Sequence, residues 1–138
     1  MSAAKAFLDT NILIYLYSQS EADKKLKAFT ESEKYFRYIS TQVLMEFCNI
    51  ALKKLHLSVS EVQIAVISIK KNCNIVTVKD LDLYDALQIH DKYKYSYYDS
   101  LVIYSALKAG CDLLLTEDMQ HGQIIENSLT IENIFIQR

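Results

Sequence analysis

The sequence predicts an α/β fold: a mainly parallel central sheet of about five strands with helices packed on both of its faces. Three observations carry that expectation. Short apolar or β-branched segments alternate with longer segments whose apolar residues repeat every 3.6 residues, the signature of strand–helix–strand units. The 138 residues carry 51% apolar side chains, enough for one substantial core. The chain has no proline and only two glycines, Gly110 and Gly122, so no Pro/Gly-rich linker divides it, and residues 1–138 read as a single domain.

The elements follow in order. Ala4 to Leu8 reads as a short buried strand closed by Asp9, and Ile12, Leu13, Tyr15 and Leu16 then fit a helical period. The charged segment from Glu21 to Lys34 reads as a solvated helix. Tyr38 and Ile39 form a second strand, after which Ser40 or Thr41 caps a helix bearing Val43, Phe47, Ile50, Ala51 and Leu55 on one face. Ser60, three residues ahead of Gln63, predicts the start of a helix carrying Val62, Ala65, Val66 and Ile69. Asn74 to Val78 is the third strand, followed by a helix from Asp80 to Lys94 with Leu83, Ala86, Leu87 and His90, and by another from about Tyr97 to Ala109. Gly110 stops that helix, Leu113 to Leu115 makes a fourth strand, and Leu129 to Phe135 a fifth.

Composition excludes several classes. Cys48, Cys73 and Cys111 are odd in number, far apart and without Cys-x-x-Cys spacing, which argues against a disulfide framework or a zinc site and for reduced thiols in cytoplasm. The run from Ala6 to Tyr17 is apolar enough to suggest a secretion signal, but Asp9 and Asn11 interrupt it and no small-residue cleavage site follows; no stretch has the roughly twenty apolar residues of a membrane helix. A formal charge of −2 does not by itself call for nucleic acid, so any phosphate backbone has to be met by local lysines or bound metal.

The chemistry lies in four acids. Asp9 ends the first strand and Asp118 lies just beyond the fourth, so both project from the carboxyl edge of the sheet, where open α/β folds place ligands. Asp112, which precedes the fourth strand, belongs to the opposite edge. Glu46 borders the apolar face of its helix and needs a partner there. Asp99 sits in the first turn of its helix, where free backbone N–H groups stabilise an anion. Each also has a plainer use: Asp9 as a helix cap, Asp99 as the acid of a Ser96-Tyr97-Tyr98-Asp99 capping box, Asp118 as a turn residue, Glu46 as a partner of Lys53 or Lys54. Their convergence is what points to a site. Clustered carboxylates repel, and a divalent cation is the natural agent to hold them together.

The contexts Phe7-Leu8-Asp9-Thr10-Asn11, Met45-Glu46-Phe47, Tyr98-Asp99-Ser100-Leu101 and Leu115-Thr116-Glu117-Asp118 resemble those of the PIN-domain nucleases, and of the VapC-type toxins among them, over nearly the whole chain. The resemblance implies a three-layer α/β/α fold and a metal-dependent endoribonuclease of the cytoplasm that uses Mg²⁺ or Mn²⁺. Its acidic site carries over as Asp9, Glu46, Asp99 and Asp118, with Asn11 and Thr116 as supporting residues. Asp9, Asp99 and Asp118 are the implied metal ligands; Glu46 is a further ligand, orienter or proton acceptor. Glu117 competes with Asp118 if the turn rearranges, and His121 lies in a continuation that is similar to one PIN subgroup. RNA as substrate, a small antitoxin protein and a homodimer are the implied partners, with Val62 to Ile69 offering a contact surface. No membrane is implied.

Immediately before Asp99, Lys92-Tyr93-Lys94-Tyr95-Ser96-Tyr97-Tyr98 interleaves lysines with rings that offer stacking surfaces for unpaired bases, although at least half of them are expected to pack in the core. Rival folds lack their landmarks. A receiver domain needs an acidic pair after the first strand and a lysine after the last, a haloacid-dehalogenase-type phosphatase needs an aspartate at position 11, and phosphate-loop folds need glycines this chain does not have. The remaining alternative is a non-catalytic PIN-like module that binds RNA or protein without cutting.

Overall fold

A computed structural model describes residues 4–136. The elements are β1 (Lys5–Leu8), α1 (Thr10–Tyr17), α2 (Ala22–Ser32), β2 (Phe36–Ser40), α3 (Thr41–Lys53), α4 (Val59–Asn72), β3 (Asn74–Val76), α5 (Asp82–Tyr93), α6 (Tyr97–Lys108), β4 (Leu113–Leu115), β5 (Ile124–Ile125) and β6 (Leu129–Glu132). They form a six-stranded sheet in the order β3-β2-β1-β4-β6-β5, parallel throughout except for β5 against β6. Ala6, Phe7 and Leu8 are consecutive and fully buried, as are Leu114 and Leu115, which requires cover on both sheet faces. This is the three-layer arrangement of a parallel sheet between helices.

Strand order reverses at β1: β2 and β3 build outward on one side, β4 and β6 on the other. The pairing of Leu8 with Leu115 sets Asp9 and Thr116 side by side just past the carboxyl ends of β1 and β4, and Asp9 N–H donates to Leu115 O at 3.0 Å. A switch point of this kind leaves a crevice between diverging helices. Asp112 lies at the other edge, where its carboxylate accepts from Lys5 N–H at 2.9 Å.

Several expectations shift. The sheet has six strands instead of five, because Ile124–Ile125 pairs antiparallel with Thr130 and Leu129 through a turn whose Glu126 and Asn127 adopt positive φ. The helix expected to start at Ser60 starts at Ser58: its hydroxyl accepts from Glu61 N–H while Glu61 returns a bond to Ser58 N–H, a complete capping box that Ser60 and Gln63 do not form. β3 stops at Val76, and Val78 N–H donates to Thr41 Oγ1 at 3.0 Å instead of to a ladder. α5 begins at Asp82, whose carboxylate takes the N–H of Lys79, and its buried row is Asp82, Ala86 and Ile89; Leu87 and His90 face solvent. β6 ends at Glu132, where Asn133 turns the chain by accepting from Phe135 N–H and donating to Glu117 O. On α4, Val62, Ala65 and Ile69 are core, so the apolar surface of that helix is Val59, Ile64 and Ile67 instead.

Other readings hold in detail. Ser40 is the cap of α3, accepting from Val43 N–H. α3 buries Val43, Phe47 and Ala51, with Ile50 half-buried; the helix ends at Lys53, so Leu55, also half-buried, packs from the turn that follows. Gly110 adopts φ +72°, the left-handed step after a helix that glycine takes without a Cβ penalty. Cys111 is buried just before β4, and burial pushes its thiol up to about 12, which makes it inert at neutral pH. Among the described residues no helix is long and apolar enough to cross a membrane.

Candidate metal and catalytic site

Asp9 is the buried centre of the site, with only 7% of its surface exposed. Its extended backbone ends β1 and caps α1. Oδ1 accepts from Thr10 N–H at 2.8 Å and Oδ2 from the Thr116 hydroxyl at 2.8 Å. Burial above all, with a smaller push from the charges of Asp99 and Asp118, raises its pKa to about 6 against the pull of those two hydrogen bonds. Those charges place Asp99 and Asp118 within electrostatic reach of Asp9.

Asp99 stands on α6, whose cap Ser96 accepts from Asp99 N–H at 3.2 Å. The carboxylate does not return a bond to the Ser96 backbone, so the expected capping box is only half formed. Burial, then the nearby charge of Asp118, raises the Asp99 pKa, while the Ser96 hydroxyl lowers it. Asp118 is held by the turn after β4: Thr116 Oγ1 accepts from Asp118 N–H at 3.2 Å, and Asn11 Nδ2 donates to Asp118 Oδ2 at 3.0 Å. Thr116 therefore braces two acids, Asp9 and Asp118, while Asn11 braces Asp118 and approaches Thr116 itself at 3.5 Å.

Glu46 reaches the same edge from α3. It is half-buried, and its partners are Gln42 Nε2 at 2.6 Å and the Thr10 hydroxyl at 3.4 Å, not Lys53 or Lys54. Thr10 joins it to α1. Neither Gln42 nor Thr10 was marked by the sequence reading, although Gln42 lies four residues before Glu46 on one helix face, a spacing that brings such side chains together.

The rearranged turn with Glu117 facing the cluster is not the one formed. Glu117 points to α1 and α2, receiving the Tyr15 hydroxyl and pairing with Lys24 at 2.5 Å. Burial opposes its ionisation, but the bonds from Lys24 and Tyr15 outweigh it and hold its pKa below the usual range. Lys24 Nζ also lies 4.8 Å from the centre of the Tyr15 ring. His121 accepts through Nδ1 from Asn133 N–H at 3.0 Å, so it fastens the loop after Asp118 to the end of β6.

All donors at this edge are oxygens, which suits a hard cation such as Mg²⁺ or Mn²⁺. Among the described residues no group of three or more His, Cys, Asp or Glu side chains is placed to hold a metal ion. Mg²⁺ does not need one, since it is commonly held by one or two carboxylates and several waters. Two features fit such an occupant: the charges of Asp99 and Asp118 make Asp9 harder to ionise, as that of Asp118 does Asp99, and the buried Asn11 Oδ1 has no hydrogen-bond partner.

Comparison with known proteins gives the same picture of the fold. Structures similar to this chain include a toxin–antitoxin complex from Klebsiella pneumoniae (TM-score 0.72, 21% identity, covering 94% of this chain and 98% of that one). VapBC2 from Rickettsia felis, bound to a promoter DNA fragment, has TM-score 0.68 and 17% identity, with the same coverages. VapC20 of Mycobacterium tuberculosis, a sarcin–ricin loop cleaving toxin, has TM-score 0.64 and 19% identity, covering 79% of this chain and 86% of its own. No curated protein sequence matches the chain. A family model matches residues 6–125, and with that span the chain belongs to the PIN domain family.

Proposed function

We propose that this chain is a metal-dependent endoribonuclease, the toxin of a toxin–antitoxin pair, acting in the cytoplasm as a single PIN domain that dimerises and is restrained by a small protein antitoxin. The observation that carries the reading is the gathering of Asp9, Asp99 and Asp118 at the strand switch point, braced by Asn11 and Thr116, with Glu46 beside them. The structural relatives support the biological setting, since one is a toxin–antitoxin complex and another cleaves the sarcin–ricin loop.

In this reading Asp9, Asp99 and Asp118 would hold Mg²⁺ or Mn²⁺. The bound cation supplies neutralisation of the cluster and polarisation of the scissile phosphate. Thr116 keeps Asp9 turned toward the crevice through Oδ2, and Asn11 does the same for Asp118. Glu46 is the proton acceptor for an attacking water: Gln42 and Thr10 each fix one of its carboxylate oxygens, so its remaining lone pairs face the edge in a set orientation.

The test is cleavage of mixed cellular RNA by the purified chain in Mg²⁺ or Mn²⁺, beside Asp9→Asn, Asp99→Asn and a chelator control. Activity that disappears in all three controls supports the nuclease. Folded protein that neither cuts nor retains metal moves the assignment to a non-catalytic binding module. Growth arrest on expression tests the toxin role separately; cleavage without arrest removes that role and leaves the nuclease.

A further inference from the structure

Lys24, the lysine tied to the Thr116–Asp118 turn, is paired with Glu117; Lys92 is paired with Glu126 and Lys108 with Asp82. The chain as a whole carries −2. Phosphate neutralisation is the usual source of affinity for nucleic acid, and an exposed ring beside the acids would add base stacking to it.

Tyr98 has the position and the rigidity for it. The residue beside Asp99, it is 66% exposed in the first turn of α6, whereas Tyr93 and Tyr95 of the same segment pack against the core and bond to Glu126 and to Gln123 and Gln120. Its ring is met edge-on by Tyr97, with centroids 5.3 Å apart. Its carbonyl accepts from Gln42 Nε2 at 3.5 Å, the same amide group that holds Glu46 at 2.6 Å. One side chain thus ties the turn bearing an exposed ring to a carboxylate of the site.

We propose that Tyr98 is a stacking platform for an unpaired RNA base next to the scissile phosphate. This rests on the ribonuclease reading and deepens it. An aromatic face accepts any base, and a base inside a duplex has no free face to offer.

The experiment uses the full chain in chelator, so that no cleavage intervenes, with a short single-stranded RNA containing 2-aminopurine and the same RNA annealed to its complement. Fluorescence reports stacking and affinity for the parent, Tyr98→Ala, Tyr98→Phe and Tyr98→Trp. The expected result is quenching with the single strand and not the duplex. Tyr98→Ala should bind about 5- to 150-fold more weakly, the worth of one base–aromatic stack. Phe and Trp should retain binding, and the salt dependence should be the same in all four proteins, because no cation is removed. Equal binding by Tyr98→Ala, loss in Tyr98→Phe as large as in Tyr98→Ala, or equal binding of the duplex overturns the proposal. Stacking without metal-dependent cleavage sinks the nuclease and keeps the platform; cleavage with no effect of Tyr98→Ala on binding does the reverse.

Discussion

Replacing Asp9 by asparagine should make the metal-free protein more stable, and only above a definite pH. The folded pKa of about 6 exceeds the ordinary 3.8, so the folded chain binds a proton that the unfolded chain has already released. Native protein then holds more protons than unfolded protein between those values, and stability falls as pH rises from about 4 to about 6 and stays lower beyond. The gap corresponds to about 3 kcal/mol, or about 10 °C in Tm for a domain of this size. Asparagine keeps a carbonyl oxygen for Thr10 N–H, and the Thr116 hydroxyl can rotate to accept from the new amide. Carboxylates held low in the fold, such as Asp82 and Glu117, give the opposite slope, but they are common to both proteins and cancel in the difference. The assay is urea unfolding of parent and Asp9→Asn in chelator from pH 3.5 to 7.5. The stability difference should be near zero at pH 3.5 and open through pH 6. Parallel curves across that range would refute the claim that burial strains the ionised Asp9.

Three further outcomes test the surrounding structure. Ser58→Ala should cost about 1 kcal/mol by removing the α4 cap, while Ser60→Ala should cost a few tenths at most, as read by thermal unfolding. Lys24→Met should lower stability by about 1 kcal/mol, since the pair with Glu117 is partly exposed, and Lys24→Arg should restore most of it in denaturant titration. Phe47→Ala, at a fully buried ring packed edge-on against Tyr17, should cost about 3–5 kcal/mol, and a loss below 1 kcal/mol would contradict its place in the core.

Much of this protein was determined by sequence alone. The identity of Leu113–Leu115 as a strand, the α1, α3 and α6 helices and the placing of Asp9 and Asp118 at the carboxyl edge all follow from short-range periodicity and from which acid ends which strand. Such signals are local, so a single chain displays them. Tertiary structure decided the rest. β5 is two residues long, too short for any alternation to register, and exists only because β6 offers it a partner. The choice of Ser58 over Ser60 depended on which acid could bond back to the cap. The direction of Glu117 was set by Lys24, ninety-three positions away in sequence. The pKa of Asp9 depends on burial and on the charges of Asp99 and Asp118, and the exposure of Tyr98 near the half-buried Tyr95 depends on what each ring finds to pack against. Pattern within a segment fixes its own conformation, but the partners that orient a charge or cover a ring come from distant segments, and only the folded sheet brings them to the same place.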